Sequence, residues 1–156
     1  MTRFRRILHP TEFSPASTRA FRLAIRLARA SGADLTVAHV HAPLIPPAGG
    51  SYAIPQAYDV MRADIRAEAG RRLDRLVAQA GRAGVRARGL LLEGVAHDRI
   101  VQAARARRAD LIVLGTHGRT GVGRALLGSI AWRVPFGDDP QVEQHSDREE
   151  EEAEQD

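Results

Sequence analysis

The chain of 156 residues contains no cysteine. Disulfides, thiolate-bound zinc, iron–sulfur clusters and a cysteine nucleophile are thereby excluded. Lysine is absent too: all 23 basic residues are arginine. That excludes a phosphate loop ending in Gly-Lys-Ser/Thr, and it excludes Schiff-base and lysine-nucleophile chemistry. No apolar run approaches the roughly 20 residues that a membrane helix needs. The N-terminus, MTRFRRILHPTEF, is basic but has only a very short apolar stretch, unlike a secretory signal. These absences fit a cytoplasmic protein without a membrane partner. Aromatic residues make up only 4%. Arginines spread along helix faces with few aromatics between them read as solvated surface rather than as a nucleic-acid interface.

The composition is otherwise that of a folded domain, 44% apolar with a formal charge of +4. Roughly 100–200 residues make one domain, and a chain of this size buries about 70% of its unfolded surface. The charge is uneven. Residues 138–156 hold ten acids and one Arg, whereas residues 1–137 hold 22 Arg and nine acids. The sequence therefore divides into a body, residues 1–134, and an acidic tail, 135–156, whose charge run predicts disorder.

Within the body, short runs rich in Val, Ile and Leu alternate with helical patterns. Strands are predicted at Phe4–Pro10, Asp34–Val40, Val85–Leu92 and Leu111–Leu114. Helices are predicted at Pro15–Ala30, Asp59–Ala83 and Ala96–Arg108, and a further one starts at Ser129. Ser14 followed by Pro15 is a helix start, and Gly32 a stop. The apolar stripe of the long helix runs through Met61, Ile65, Leu73, Leu76, Val77 and Ala80. Ala42–Ala57, with four prolines, reads as a surface loop. Strands alternating with helices predict an α/β fold with a mostly parallel sheet.

Two segments carry the signals for chemistry. In Leu111–Val134, Gly115, Gly118, Gly121 and Gly123 follow an apolar strand, and Gly128-Ser129 opens a predicted helix. Glycines let a backbone approach a ligand with no Cβ in the way. Successive N–H groups in such a turn make an anion site, and a helix N-terminus adds donors. Ser129, Thr116 and Arg119 add more donors, and His117 lies in the same loop as a candidate phosphate contact. The second segment, Ile7–Ser17, puts Pro10, Thr11 and Glu12 at the carboxyl end of strand 1. A carboxylate there can accept from a ribose or face a metal held by phosphates. Each segment taken alone is also compatible with a plain surface turn. His39 and His41 share a strand face but have no third ligand nearby, so no metal site is assigned. No catalytic triad or paired carboxylates can be assembled, so no catalytic residue is assigned.

These segments resemble the universal stress protein family, over about residues 1–134. Ile7–Ser14 reads ILHPTEFS against the family's ILVPTDFS, and AHV at Ala38–Val40 matches the end of its second strand. Asp110–Gly121 reads DLIVLGTHGRTG, and Leu126–Val134 reads LLGSIAWRV. Gly115, Gly118, Gly128 and Ser129 fit the family's ATP-binding spacing G-x2-G-x9-G-[ST]. The resemblance implies an open, doubly wound parallel sheet in the order 3-2-1-4-5. It implies ATP, with Mg²⁺ on its phosphates, held as a regulatory ligand, and at most slow hydrolysis or autophosphorylation. Pro10, Thr11 and Glu12 would lie near ribose and adenine, and Val40 at the adenine edge. Leu114, Gly115, Thr116, His117, Gly118, Gly128, Ser129 and Ile130 would surround ribose and phosphates.

The sequence departs from the family in two places. Glu12 stands where the family has Asp, and one more methylene moves the carboxylate outward. After Val134 the family's last helix and apolar fifth strand are replaced by PFGDDPQVEQHSDREEEEAEQD, as a change of reading frame would produce. The fifth strand is therefore expected to be missing or altered, which would leave strand 4 an open edge and disturb the homodimer the family forms through strand 5. These departures favour an alternative, a nucleotide-independent stress-related interaction module. An ATP-pyrophosphatase-like enzyme is a weaker rival, because its Ser-Gly-Gly loop after strand 1 is replaced here by HPTEFS.

Overall fold

The computed structural model of the chain describes residues 4–45, 55–115 and 129–133, the last five as backbone. The elements are β1 (Arg6–Pro10), α1 (Pro15–Ser31), β2 (Asp34–His41), α2 (Pro55–Arg82), β3 (Ala87–Glu93), α3 (Ala96–Ala106), β4 (Leu111–Gly115) and β5 (Ser129–Arg133). The sheet order is β3-β2-β1-β4-β5. The first four strands are parallel, as expected, and β5 is antiparallel to β4.

Strand alternation sorts the core onto two faces. Ile7, Leu35, Val37 and Val113 point to one face and pack with Phe21 and Ala24 of α1 and Leu73 of α2. Leu8 and Ala38 point to the other and pack with Ala103 and Ala104 of α3. β1 lies mid-sheet, so both of its faces are covered: Ile7 and Leu8 are 1% and 0% exposed.

Helix α1 ends where its sequence signals put its ends. Ser14 Oγ accepts the Ser17 N–H at 3.1 Å, Pro15 occupies the first turn, and Gly32 closes the helix at φ 68°. Helix α2 starts earlier than expected, at Pro55, inside the predicted loop. Its apolar stripe is only half used. Leu73 and Ala80 are buried, whereas Met61 and Ile65 are 51% and 41% exposed. The reason is length. A helix of 28 residues spans about 42 Å, and a strand of eight spans only about 26 Å. The first turns of α2 therefore run past the sheet.

The segment from Ser129 corrects the predicted helix. Its backbone pairs with β4 across the whole strand, from Leu111↔Arg133 to Gly115↔Ser129. The open edge expected at strand 4 is thus covered, which satisfies β4 backbone groups that a helix there would have left unpaired. The tail after Val134, where the family's own fifth strand would lie, is outside the described residues.

One carboxylate fastens the amino end of β1. Asp110 Oδ2 accepts the N–H groups of Arg5 and Arg6 at 2.7 and 2.8 Å. Asp110→Ala leaves both donors to water and is expected to cost about 1–3 kcal/mol. Urea denaturation checks this; a change within 0.5 kcal/mol would show the fastening to be idle.

Candidate functional site

The winding of the sheet reverses between β1 and β4. Crevices in such sheets open at that reversal, beyond the carboxyl ends of the strands. Here a crevice of about 140 Å³ opens there, on the α3 face. Pro10, Thr11, Glu12, Val40, Leu114 and Gly115 all line it. Ala38 of β2 and Ala96 and Ile100 of α3 complete the wall. Sequence inspection missed these three, although the helical spacing of Ala96 and Ile100 places them on one face of α3.

Local chemistry fixes the bend after β1. The Thr11 N–H donates to the Ala38 carbonyl at 2.8 Å and so extends the β1–β2 ladder by one residue. Thr11 Oγ1 turns to the opposite face, where it meets Ser17 Oγ at 2.5 Å and accepts the Phe13 N–H at 3.0 Å. Phe13 then takes a left-handed backbone, φ 63°. For a bulky residue this is strained, and the packing of its ring against His39, 4.5 Å between centroids, holds it. Glu12 is exposed and accepts a hydrogen bond from the Ser14 hydroxyl.

Gly115 has a reason other than the one its motif suggests. A Cβ on it would lie 2.8 Å from the Ala16 carbonyl carbon and 2.9 Å from its oxygen. It is the first turn of α1 that requires glycine here, since a backbone wall cannot move aside as a flexible side chain would.

Among the expected ligand residues, Ser129 and Ile130 pair with Gly115 and Leu114 as part of β5. They stand beside the crevice rim, but as ladder partners and not as the start of a helix. The free N–H donors and dipole expected of a helix N-terminus at Ser129 are therefore not present. Thr116, His117, Gly118 and Gly128 lie outside the described residues.

Three histidines line the α1–α2 face behind the bend. His9 is fully buried, and its Nδ1 donates to the Val113 carbonyl at 2.8 Å. Its Nε2 is buried without a partner among the described residues. Burial drives its pKa down from 6.5 to about 4, against the opposing pull of the Val113 carbonyl and the Glu12 charge. His39, held by the Thr11 carbonyl at 2.7 Å, is also pushed down, first by burial and then by the charges of His41 and Arg72. Sequence inspection weighed His39 and His41 as a metal pair. Among the described residues no group of three or more His, Asp or Glu is placed to hold a metal. No helix among those residues is long and apolar enough to cross a membrane.

A family model described as the universal stress protein family matches residues 3–134. The chain belongs to the universal stress protein family. A universal stress protein of Methanocaldococcus jannaschii is 34% identical over 134 residues, covering 84% of this chain and 75% of that one. The solved UspA of Lactobacillus plantarum has the same fold, with a TM-score of 0.68 at 22% identity over 82% of this chain and 88% of that one. A further solved universal stress protein, crystallised in complex with cAMP, aligns with a TM-score of 0.52 at 24% identity over 78% of this chain and 79% of that one. In this universal stress protein the family match ends at residue 134, where the acidic tail begins.

Proposed function

We propose that this universal stress protein binds an adenine nucleotide, ATP with Mg²⁺, as a regulatory ligand of a cytoplasmic stress response. One observation carries this: six residues marked from three separate stretches of sequence converge on one crevice at the reversal of the sheet. The family member crystallised with cAMP supports the same ligand class. At about 140 Å³ the crevice is smaller than the roughly 300–1,000 Å³ of complete small-molecule pockets. It suits the base and ribose end, with Pro10, Ala38, Val40 and Ile100 as the apolar wall. Phosphates would then run outward past Gly115. Mg²⁺ typically keeps several waters and takes one or two carboxylates besides phosphate oxygens. Glu12, the one carboxylate on the wall among the described residues, fits that demand.

In this reading the nucleotide is a held ligand rather than a substrate. Calorimetric titration with ATP and Mg²⁺ tests the proposal. Saturable binding is expected, and Ala96→Trp, which fills the crevice from an exposed helix position, is expected to weaken it at least tenfold. Absence of heat with ATP, ADP and cAMP alike would overturn the proposal and favour the nucleotide-independent interaction module.

A further inference from the structure

On the other face of the sheet, behind the bend that shapes the crevice, lies a second and larger cavity of about 250 Å³. It opens between the first turn of α1 and the middle of α2. Phe13, Phe21 and Leu76 supply its apolar lining, and Arg72, Arg75 and Ser17 its polar lining. Nothing in the nucleotide proposal uses this cavity.

Its charge is poorly compensated. No carboxylate among the described residues lies within ion-pair distance of Arg72, whose guanidinium carbon sits 4.6 Å from the Phe13 ring centroid. Arg75 reaches only Glu68, at 3.8 Å, and Glu68 is already engaged by Arg71 at 2.9 Å. Both of those contacts are exposed, where ion pairs contribute little. Asp74, between the two arginines in sequence, is exposed and makes no ion pair among the described residues. Two guanidinium groups one turn apart on a helix can share one phosphate, since each offers a planar fork of donors. Stacking on Phe13 fixes the orientation of the Arg72 fork without using its donors. The cavity therefore pairs a cationic rim with an aromatic and aliphatic wall.

We propose that this cavity is a second ligand site, for a small phosphomonoester. Its phosphate meets Arg72 and Arg75, and its organic group lies against Phe13, Phe21 and Leu76. Thr11 belongs to the walls of both cavities. Its main chain borders the crevice and its hydroxyl holds Ser17 and Phe13 on this side. Occupancy here is thus placed to reach the crevice through a single residue.

The probe is phenyl phosphate, titrated at fixed ionic strength and followed by amide chemical shifts. Saturable shifts are expected at the first turn of α1 and at residues 72–76, with phenyl phosphate at least fivefold tighter than inorganic phosphate. Arg72→Gln combined with Arg75→Gln changes only exposed side chains, and it is expected to weaken binding at least tenfold while the unfolding midpoint stays within a few degrees. Arg82→Gln, an exposed position on the same helix outside the cavity, is expected to change nothing. Ala96→Trp blocks the crevice and leaves this cavity intact, so it separates the two sites. The proposal is overturned if the shifts do not saturate, if Arg82→Gln weakens binding as much as the double variant, or if Ala96→Trp abolishes the shifts.

Discussion

Between pH 7 and pH 4 the protein is expected to lose about 3 kcal/mol of folding stability through one side chain, His9, because a shift from 6.5 to about 4 carries roughly that much free energy. In the folded state its Nδ1–H is spent on the Val113 carbonyl, and its Nε2 is buried, with the Phe21 ring 5.5 Å away between centroids. Adding a proton to Nε2 buries a charge with no acceptor for it among the described residues. The unfolded chain takes up that proton near pH 6.5, whereas the folded chain resists until about 4. Above pH 6.5 both states are neutral and the group is indifferent to pH. Below it the unfolded state gains, until both are protonated. Stability therefore falls as pH falls through this window, with the burial of His39 acting in the same direction. His9→Asn keeps an N–H donor for Val113 but cannot titrate. Urea denaturation of both proteins at pH 7 and pH 4 should show a smaller pH-dependent loss in the variant, by about 3 kcal/mol. Equal losses would mean that His9 is not the group responsible.

Gly115→Ala is expected to cost about 1–3 kcal/mol or more, the usual penalty for forcing atoms into a packed site. The added carbon meets Ala16 main chain at 2.8 Å, so α1 must move away from β4. Because Gly115 borders the crevice and α1 carries Ser17, which holds Thr11, the same change should loosen the crevice wall. Gly89→Ala provides the contrast. Its added carbon meets Leu73 Cβ at 3.5 Å, an ordinary contact, on an exposed strand position. It is expected to be neutral or mildly stabilising, since alanine restricts the unfolded chain. Urea denaturation of both variants decides the matter. A Gly115→Ala protein as stable as Gly89→Ala would show that the approach of α1 is not constraining.

The element pattern was legible because its signals are local. Ser14, Pro15 and Gly32 delimit α1 by hydrogen-bonding and backbone geometry that depend only on near neighbours. The alternation of Leu35 and Val37 against Ala38 and Val40 shows which residues share a face of β2. The stretch from Ser129 was not legible as a strand. Five residues with Ile and Trp suit a strand or a helix equally, and the deciding factor was the free edge of β4, which lies far away in sequence. The exposure of Met61 and Ile65 was hidden for a similar reason. An apolar stripe shows which side of a helix is apolar but not where the surface it packs against ends.

The crevice divides along the same line. Composition had already excluded thiolate, disulfide and lysine chemistry, and the residue patterns marked Pro10–Glu12 and Gly115 as rim positions. Strand order was beyond reach of periodicity, because hydrophobic alternation records faces and not neighbours; only the family resemblance supplied it in advance. Tertiary structure alone decided that Ala96 and Ile100 close the crevice, that Gly115 answers to α1, that His9 is buried against Val113 and Phe21, and that Arg72 settles on Phe13. Each of these is a contact between groups distant in sequence, and such contacts exist only once the chain has folded.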